Sequence, residues 1–552
     1  MIARRLRRTA VALGAVAVLA ACTAIPTSGP VQEGDTEVTE PSEIDVLAEG
    51  PQPGDTPTEI VDGFLAAGAA GFTDNFGTAR EYLAGEAKAT WDPTAGVLVS
   101  GPVEPAPTTT ETEVTIDVPV EARVGESGVY AEAPPDGRES VTFGMVRNDA
   151  DEWRIAATPP GLILQQEDFA RLYRAASLYF VSPDQKFLVP EERWFPEKNL
   201  STSIVSELLA GPSAWLQDAV VTAVPDGVEL NPEAVLIDDK DGVASVRLEP
   251  ALAVTRADRD LLIAQIEASL RPVRGISSVQ VYARDVPLEG SANLESGSGP
   301  PGNLELVQDD RLVALVDGEI KPVPGLDPLD GLDPRSPARN EDGSVRVMLS
   351  GPGTLTTVPT TEVGPQELVS GSGLVAPSVD RFDWAWTAQP STGLLAARAG
   401  AQPVQVTADW LEGRSVRGVR VARDGVRIAV VSAGGDGVQV DVAAITRDES
   451  GAPQQLGSPV RAGASLVDAS SVVWSDESTL AVVGRSSGNA TVHLVPVAGP
   501  TRVLPEVADL ADLAGSPVIY VTTTAGELRR FVGSTWAQIL GVSGASYPSF
   551  PG

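Results

Sequence analysis

One cysteine and one histidine stand in 552 residues. A single thiol excludes an internal disulfide, and neither C-x-x-C nor H-E-x-x-H spacing is present to hold zinc. A single imidazole makes most acid–base chemistry at neutral pH hard to assemble. Aromatic residues are only 5% of the chain, so packing falls mainly to Val, Leu, Ala and Ile. Positive charge is scarce: 40 Lys and Arg face 75 Asp and Glu, for a formal charge of −35. Phosphate backbones and anionic lipid both repel so acidic a body, which excludes nucleic acid as a partner.

What the chain has in quantity is Gly (54) and Pro (45), the turn residues that β-rich architectures need. Its length exceeds one hydrophobic core and predicts about three domains. The cysteine sits in a telling place. MIARRLRR is a basic stretch (Arg4, Arg5, Arg7, Arg8), and TAVALGAVAVLAA is an apolar run too short to span a bilayer comfortably. The run ends in Leu19-Ala20-Ala21-Cys22, an aliphatic residue and two small ones before a thiol. This pattern matches the bacterial lipobox. The small residues admit a peptidase between Ala21 and Cys22, and the thiol takes a thioether-linked diacylglycerol. Residues 1–21 are thus expected to be a lipoprotein signal peptide. Cys22, S-diacylglycerated and N-acylated, is expected to hold the protein on the cell membrane at its extracytoplasmic face.

Residues 22–56 are rich in Pro, Glu, Thr and Gly and poor in large apolar side chains, as in a flexible acidic stalk. Residues 57–167 read as a small α+β domain. One helix carries Ile60, Val61, Phe64 and Leu65 on one face, and a second, TAREYLAGEAKATW, carries Ala79, Tyr82 and Leu83. Alternating stretches follow (TEVTIDVPVEARV, GVYAEA, ESVTFGMVRN, EWRIAATP), in an order similar to a nuclear-transport-factor-like cone.

Residues 168–290 predict a β-β-α-β-β-α-β unit. SLYFV and KFLVPEERW flank a turn at Ser182-Pro183-Asp184. STSIVSELLAGPS is a helix with Ser201 as its N-cap and Gly211-Pro212 as its stop. AVLIDDKDGVASVRL is a hairpin, DRDLLIAQIEASL a helix with Leu261, Leu262, Ile266 and Leu270 at helical spacing, and ISSVQVYARDVPL a closing strand. LYFVSPDQKFLVPEERW, IVSELLAGPS, VPDGV, IAQIEASL and VQVYARDVPL together resemble the GerMN domain, named for sporulation and germination proteins.

Residues 300–552 repeat a simple unit about every 40 residues: an apolar strand, a Gly-rich turn and a returning strand. The units start at RLVALVDGEIKPV, VRVMLSGPGTLTTV, FDWAWTAQPSTGLLAARAGAQPVQV, RIAVVSAGGDGVQVDVAAI, TLAVVGRSSGNATVHLVPV and VIYVTTTAGELRRFVGSTWAQI. They predict an all-β propeller of five or six blades, degenerate in the early ones.

Chemistry-bearing candidates are few. Gly484-Arg485-Ser486-Ser487-Gly488 has the letters of a nucleophile elbow, but that elbow joins a strand to a helix, and here the motif lies between two strands. A hairpin turn is the better reading. His493, between Val492 and Leu494, reads as a surface or inter-sheet residue. Asp239-Lys240-Asp241-Gly242 lacks the closing Glu of a calcium loop and reads as a hairpin tip. Trp384 and Trp386 alternate toward one face and read as core. No catalytic, cofactor or metal residue is assigned, and the chain is not expected to be an enzyme.

A lipobox followed by TAIPTSGP, a helical–sheet domain, a GerMN domain and a propeller, joined by EWRIAATPPGLILQQEDFARLYRAASLYF, is similar to the actinobacterial lipoprotein LpqB family. That resemblance implies an accessory role beside the MtrA–MtrB two-component system, contacting the extracellular region of the sensor kinase MtrB in envelope homeostasis and division. It transfers no interface residues. Peptidoglycan or glycan binding through the GerMN domain or the propeller is the alternative.

Overall fold

The computed structural model describes residues 48–102, 108–297, 302–390 and 392–552; the expected signal peptide, Cys22 and most of the expected stalk lie outside them. The first described helix, Pro57–Ala70, begins at a capping box. Thr56 accepts from the Glu59 N–H while Glu59 reaches back to the Thr56 N–H, and Pro57 presets the first turn. Such a cap stabilises by about 1 kcal/mol. The face so started buries Ile60, Val61 and Phe64 against a sheet ordered Trp153–Ala157, Arg138–Arg147, Glu113–Gly125, Gly96–Ser100 and Leu162–Gln165.

The expected second helix is instead two, Gly77–Glu81 and Gly85–Thr90. Between them the chain is captured by the sheet edge. The Ile155 N–H donates to the Tyr82 carbonyl at 2.9 Å, and the Ala84 N–H to the Ile155 carbonyl at 2.8 Å. Residues committed to a strand ladder cannot keep helical bonds, so the helix stops there. Gly96–Ser100 and Leu162–Gln165, a parallel pair at the other edge, had no counterpart in the sequence reading. GVLVS is buried at almost every position and carries no alternation to reveal it.

In the second region the hairpin Tyr173–Val181 and Leu188–Pro196 stands beside a sheet in which Val243–Glu249 and Ser278–Ala283 run parallel. Helices Ala251–Arg256 and Arg259–Leu270 make the crossover that parallel pairing requires. Ile204, Leu208, Leu262, Ile266 and Leu270 fill the core beneath. Ser201 is not an N-cap. The helix runs Leu200–Ala210, directly out of the 3-10 turn Glu197–Asn199, so Ser201 lies inside the first turn. Gly211 does end the helix, with φ 98°. Asp239–Gly242 is the tip of a hairpin, and Gly242 (φ 64°) is required there, because a Cβ would lie 2.7 Å from the Gly275 carbonyl oxygen.

The third region is a propeller of six sheets among the described residues, five of them four-stranded and the fourth carrying a fifth strand, Val460–Ala462, paired with Gly437–Arg447. Five of the six repeat units supply the middle hairpin of a blade, and RLVALVDGEIKPV supplies the outer hairpin of the first, beside Leu304–Gln308. The innermost strands are Pro334–Arg339, Ser378–Val379, Ser415–Val421, Asp468–Trp474, Leu510–Ser516 and Ser546–Ser549, and they contact one another in a closed ring. Ser546–Ser549 pairs with Leu304–Gln308 of the first blade, so the two ends of the region complete one sheet. Closure of this kind leaves no open edge between first and last blades.

Candidate functional site

Strand Leu188–Pro196 lies where the three regions meet, and its EERW segment faces two ways. Strand alternation sends Glu191 and Arg193 inward, and Glu192 and Trp194 to the opposite side. Arg193 is 2% exposed and donates to Glu191 (2.8 Å), Glu207 (2.9 Å), the Gly211 carbonyl (3.0 Å) and Ser213 (3.2 Å). Glu191 also accepts from the Ser213 N–H and from the Trp215 indole at 3.0 Å. This guanidinium network ties the hairpin to the loop after helix Leu200–Ala210.

On the other side, the Trp194 indole donates to the Ala498 carbonyl of the fifth blade at 2.7 Å. Its ring packs on Tyr130 and Phe169, with centroids 5.5 and 5.0 Å away. Glu132, from the first domain, accepts from the N–H of Thr501 (2.9 Å) and of Ser465 (3.3 Å) and from both hydroxyls. One carboxylate with four donors is a clasp between first domain and propeller. A cavity of about 300 Å³ opens among Tyr130, Glu132, Phe169, Trp194 and Ser486.

The GerMN-like region is held to the propeller in turn. Arg381 grips Asp184 with two 2.7 Å bonds; burial pushes that carboxyl up, but the guanidinium overrides it and holds Asp184 at about 2. Arg427, paired with Asp424 where both are 2% exposed, donates to the Pro190 carbonyl at 3.2 Å. Tyr179 donates its hydroxyl to Glu477. Val426 and Ala444 of the fourth blade are members of the GerMN-like core itself.

Glu192 packs against Ser478 and Asp476. Burial pushes its carboxyl up to about 7, a hydrogen bond with Ser478 opposes this, and the charge of Asp476 adds to it. A raised carboxyl means that the folded chain keeps a proton the unfolded chain has released. Stability therefore falls as pH rises from the ordinary carboxyl range to about 7, and levels off above it. Glu192→Gln is expected to flatten that slope and to raise the melting temperature relative to wild type at pH 8 but not at pH 4. Identical slopes for the two proteins would refute the assignment.

The other sequence candidates fall into place. Ser486 sits in the turn between strands Thr479–Arg485 and Thr491–Pro496, as the hairpin reading requires. His493 is 1% exposed, an inter-sheet residue. Its Nε2 is 3.2 Å from the Ser486 hydroxyl and its Nδ1 is 3.2 Å from the Thr491 carbonyl, and burial lowers its pKa. Among the described residues no carboxylate is hydrogen-bonded to the imidazole. Trp384 and Trp386 are core, with the Trp386 indole donating to Asp380 at 2.8 Å. Among the described residues no group of three or more His, Cys, Asp or Glu is placed to hold a metal. Sequence reasoning missed Glu132, Arg193, Trp194 and Arg381. The run EERW, charged and yet within a strand, was the only local sign.

Three family models match in order: "Lipoprotein LpqB, N-terminal domain" over residues 50–170, "Sporulation and spore germination" over 177–289, and "Lipoprotein LpqB beta-propeller domain" over 310–551. Among curated relatives, lipoprotein LpqB of Thermobifida fusca (strain YX) is 28% identical, with 92% of each chain covered. Lipoprotein LpqB of Streptomyces coelicolor (strain ATCC BAA-471 / A3(2) / M145) is 29% identical, over 94% of this chain and 92% of that one. Lipoprotein LpqB of Mycobacterium tuberculosis (strain CDC 1551 / Oshkosh) is 27% identical, over 99% and 100%.

Proposed function

The chain belongs to the lipoprotein LpqB family, an actinobacterial family of envelope lipoproteins, and on that premise we propose that it is acylated at Cys22 and works outside the cytoplasmic membrane as an accessory to a sensor kinase. It binds the extracellular region of an MtrB-type kinase and modulates signalling in envelope homeostasis and division. The domain limits read from the sequence (57–167, 168–290 and 300–552) serve in this proposal as the units that share the work.

The three-domain junction carries the reading. Glu132, Trp194, Arg381 and Arg427 hold the domains to one another through bonds between residues hundreds of positions apart. A partner meeting this body meets a composite surface, and a force or displacement on one domain is passed to the others. Such an arrangement suits an accessory that reports position to a receptor.

The test is direct. Full-length lipidated protein in nanodiscs is expected to bind the purified external domain of the kinase saturably, and Glu132→Ala, which loosens the clasp, to weaken that binding. Absence of binding by both the lipidated and the soluble form would overturn the proposal. Retention on purified cell wall in its place would support the glycan-binding alternative.

A further inference from the structure

The cavity of about 300 Å³ between the first domain and the fifth blade has a wall of one charge sign. Two carboxylates line it, Glu121 and Glu132, and no Lys, Arg or His does. Arg485 and Arg502, chain neighbours of the lining residues Ser486 and Thr501, are exposed and not part of the wall. His493 is hydrogen-bonded to Ser486, but burial lowers its pKa, so it brings no charge at neutral pH.

The Glu132 carboxylate is placed in the wall by its partners, since Ser465 and Thr501, which hold it, line the cavity themselves. The donors from both residues, two N–H groups and two hydroxyls, are neutral. They fill its lone pairs and leave its charge unpaired. Neither Glu132 nor Glu121 forms an ion pair among the described residues.

The third polar group is Tyr130. It is 5% exposed, yet its hydroxyl makes no hydrogen bond among the described residues. Burial raises its pKa, and the charges of Glu132 and Glu121 raise it further. Both of those carboxylates belong to this wall, whereas Glu191 and Glu192 border the other hollow that Tyr130 touches, of about 20 Å³. The hydroxyl is therefore aimed into the larger cavity, beside Phe169 and Trp194, whose rings are 5.0 Å apart. An unpartnered hydroxyl, two uncompensated carboxylates and an aromatic flank suit a cation. An anion would be repelled there, and a neutral molecule would leave both charges as they are.

We propose that this cavity binds a primary ammonium on a short alkyl stem, as borne by a lysine side chain or a free diamine. The ammonium donates to the Tyr130 hydroxyl within the field of Glu132 and Glu121, and the stem lies along Phe169, Trp194 and Val503. A charged donor on an otherwise unused acceptor makes one of the stronger kinds of hydrogen bond.

The probes are Nα-acetyl-lysine methylamide and diaminopentane, each titrated into full-length protein in detergent micelles and followed by saturation-transfer NMR. Saturable binding is expected, and the tighter of the two names the source of the ammonium. Nε-acetylation of the lysine probe, which removes its charge, is expected to weaken binding at least about tenfold. Raising salt from about 0.01 M to about 0.15 M is expected to weaken it several-fold, as the field of the two carboxylates is screened. Tyr130→Phe is expected to weaken it about three- to tenfold while leaving the melting temperature nearly unchanged, because that hydroxyl bonds nothing in the folded chain. No binding of either probe at millimolar concentration, equal binding of the acetylated probe, or full binding by a folded Tyr130→Phe protein overturns the proposal. The acetylation and salt arms use wild-type protein, so they decide the matter even if a variant does not fold.

Discussion

Cys22→Ala is expected to move the protein from the membrane fraction to the soluble or medium fraction almost completely. Among the described residues no helix is long and apolar enough to cross a membrane. The body carries a formal charge of −35, so anionic lipid repels it. On the proposed acylation of Cys22, lipid supplies the attachment. At about 0.8 kcal/mol per buried methylene, a single acyl chain binds marginally and reversibly, whereas two hold stably. Fractionation with immunoblotting reads the result, and mass spectrometry of the N-terminal peptide of the wild type is expected to show a diacylglycerated cysteine. A protein that stays on the membrane without its thiol would refute the anchor.

Arg193→Ala is expected to destabilise the folded ectodomain by about 3–5 kcal/mol, the range seen when one partner of a buried ion network is removed. Glu191 is 4% exposed, and burial pushes the Glu207 carboxyl up even with Arg193 beside it. Without the guanidinium, the buried Glu191 carboxylate would be left beside the partly exposed Glu207 with no counter-charge. The Gly211 carbonyl would lose a donor as well. Arg193→Lys keeps the charge but loses the fork that reaches four partners at once, so its loss should be smaller but clear. Denaturant unfolding followed by tryptophan fluorescence measures both. A change under about 1 kcal/mol for the alanine variant would show that the network does not hold this region together.

Much of the fold was legible because its signals are local. The six propeller units were visible as apolar strands around Gly-rich turns; five became the central hairpin of a blade and the first an outer hairpin. Blade number was left between five and six because the last blade position depends on Ser546–Ser549 joining Leu304–Gln308, a pairing that no local pattern encodes. The helix break at Leu83 and the entry to helix Leu200–Ala210 were misread for a related reason. In the first, a strand far along the chain takes the backbone bonds; in the second, a preceding 3-10 turn makes a cap unnecessary.

The junction was almost invisible in advance. Glu132 and Thr501 are separated by 369 positions, Trp194 and Ala498 by 304, and Arg381 and Asp184 by 197. Nothing in the composition around Glu132 distinguishes it from the many other acids of this chain. By itself the sequence determined the strands, the turns, the lipobox and the order of the domains, because backbone sterics and side-chain periodicity act over a few residues. Only the tertiary structure decided which charges were buried together and which strand closed the propeller. Those outcomes depend on surfaces that exist only after each domain has packed, when desolvation turns an ordinary acid or arginine into a group that must find a partner.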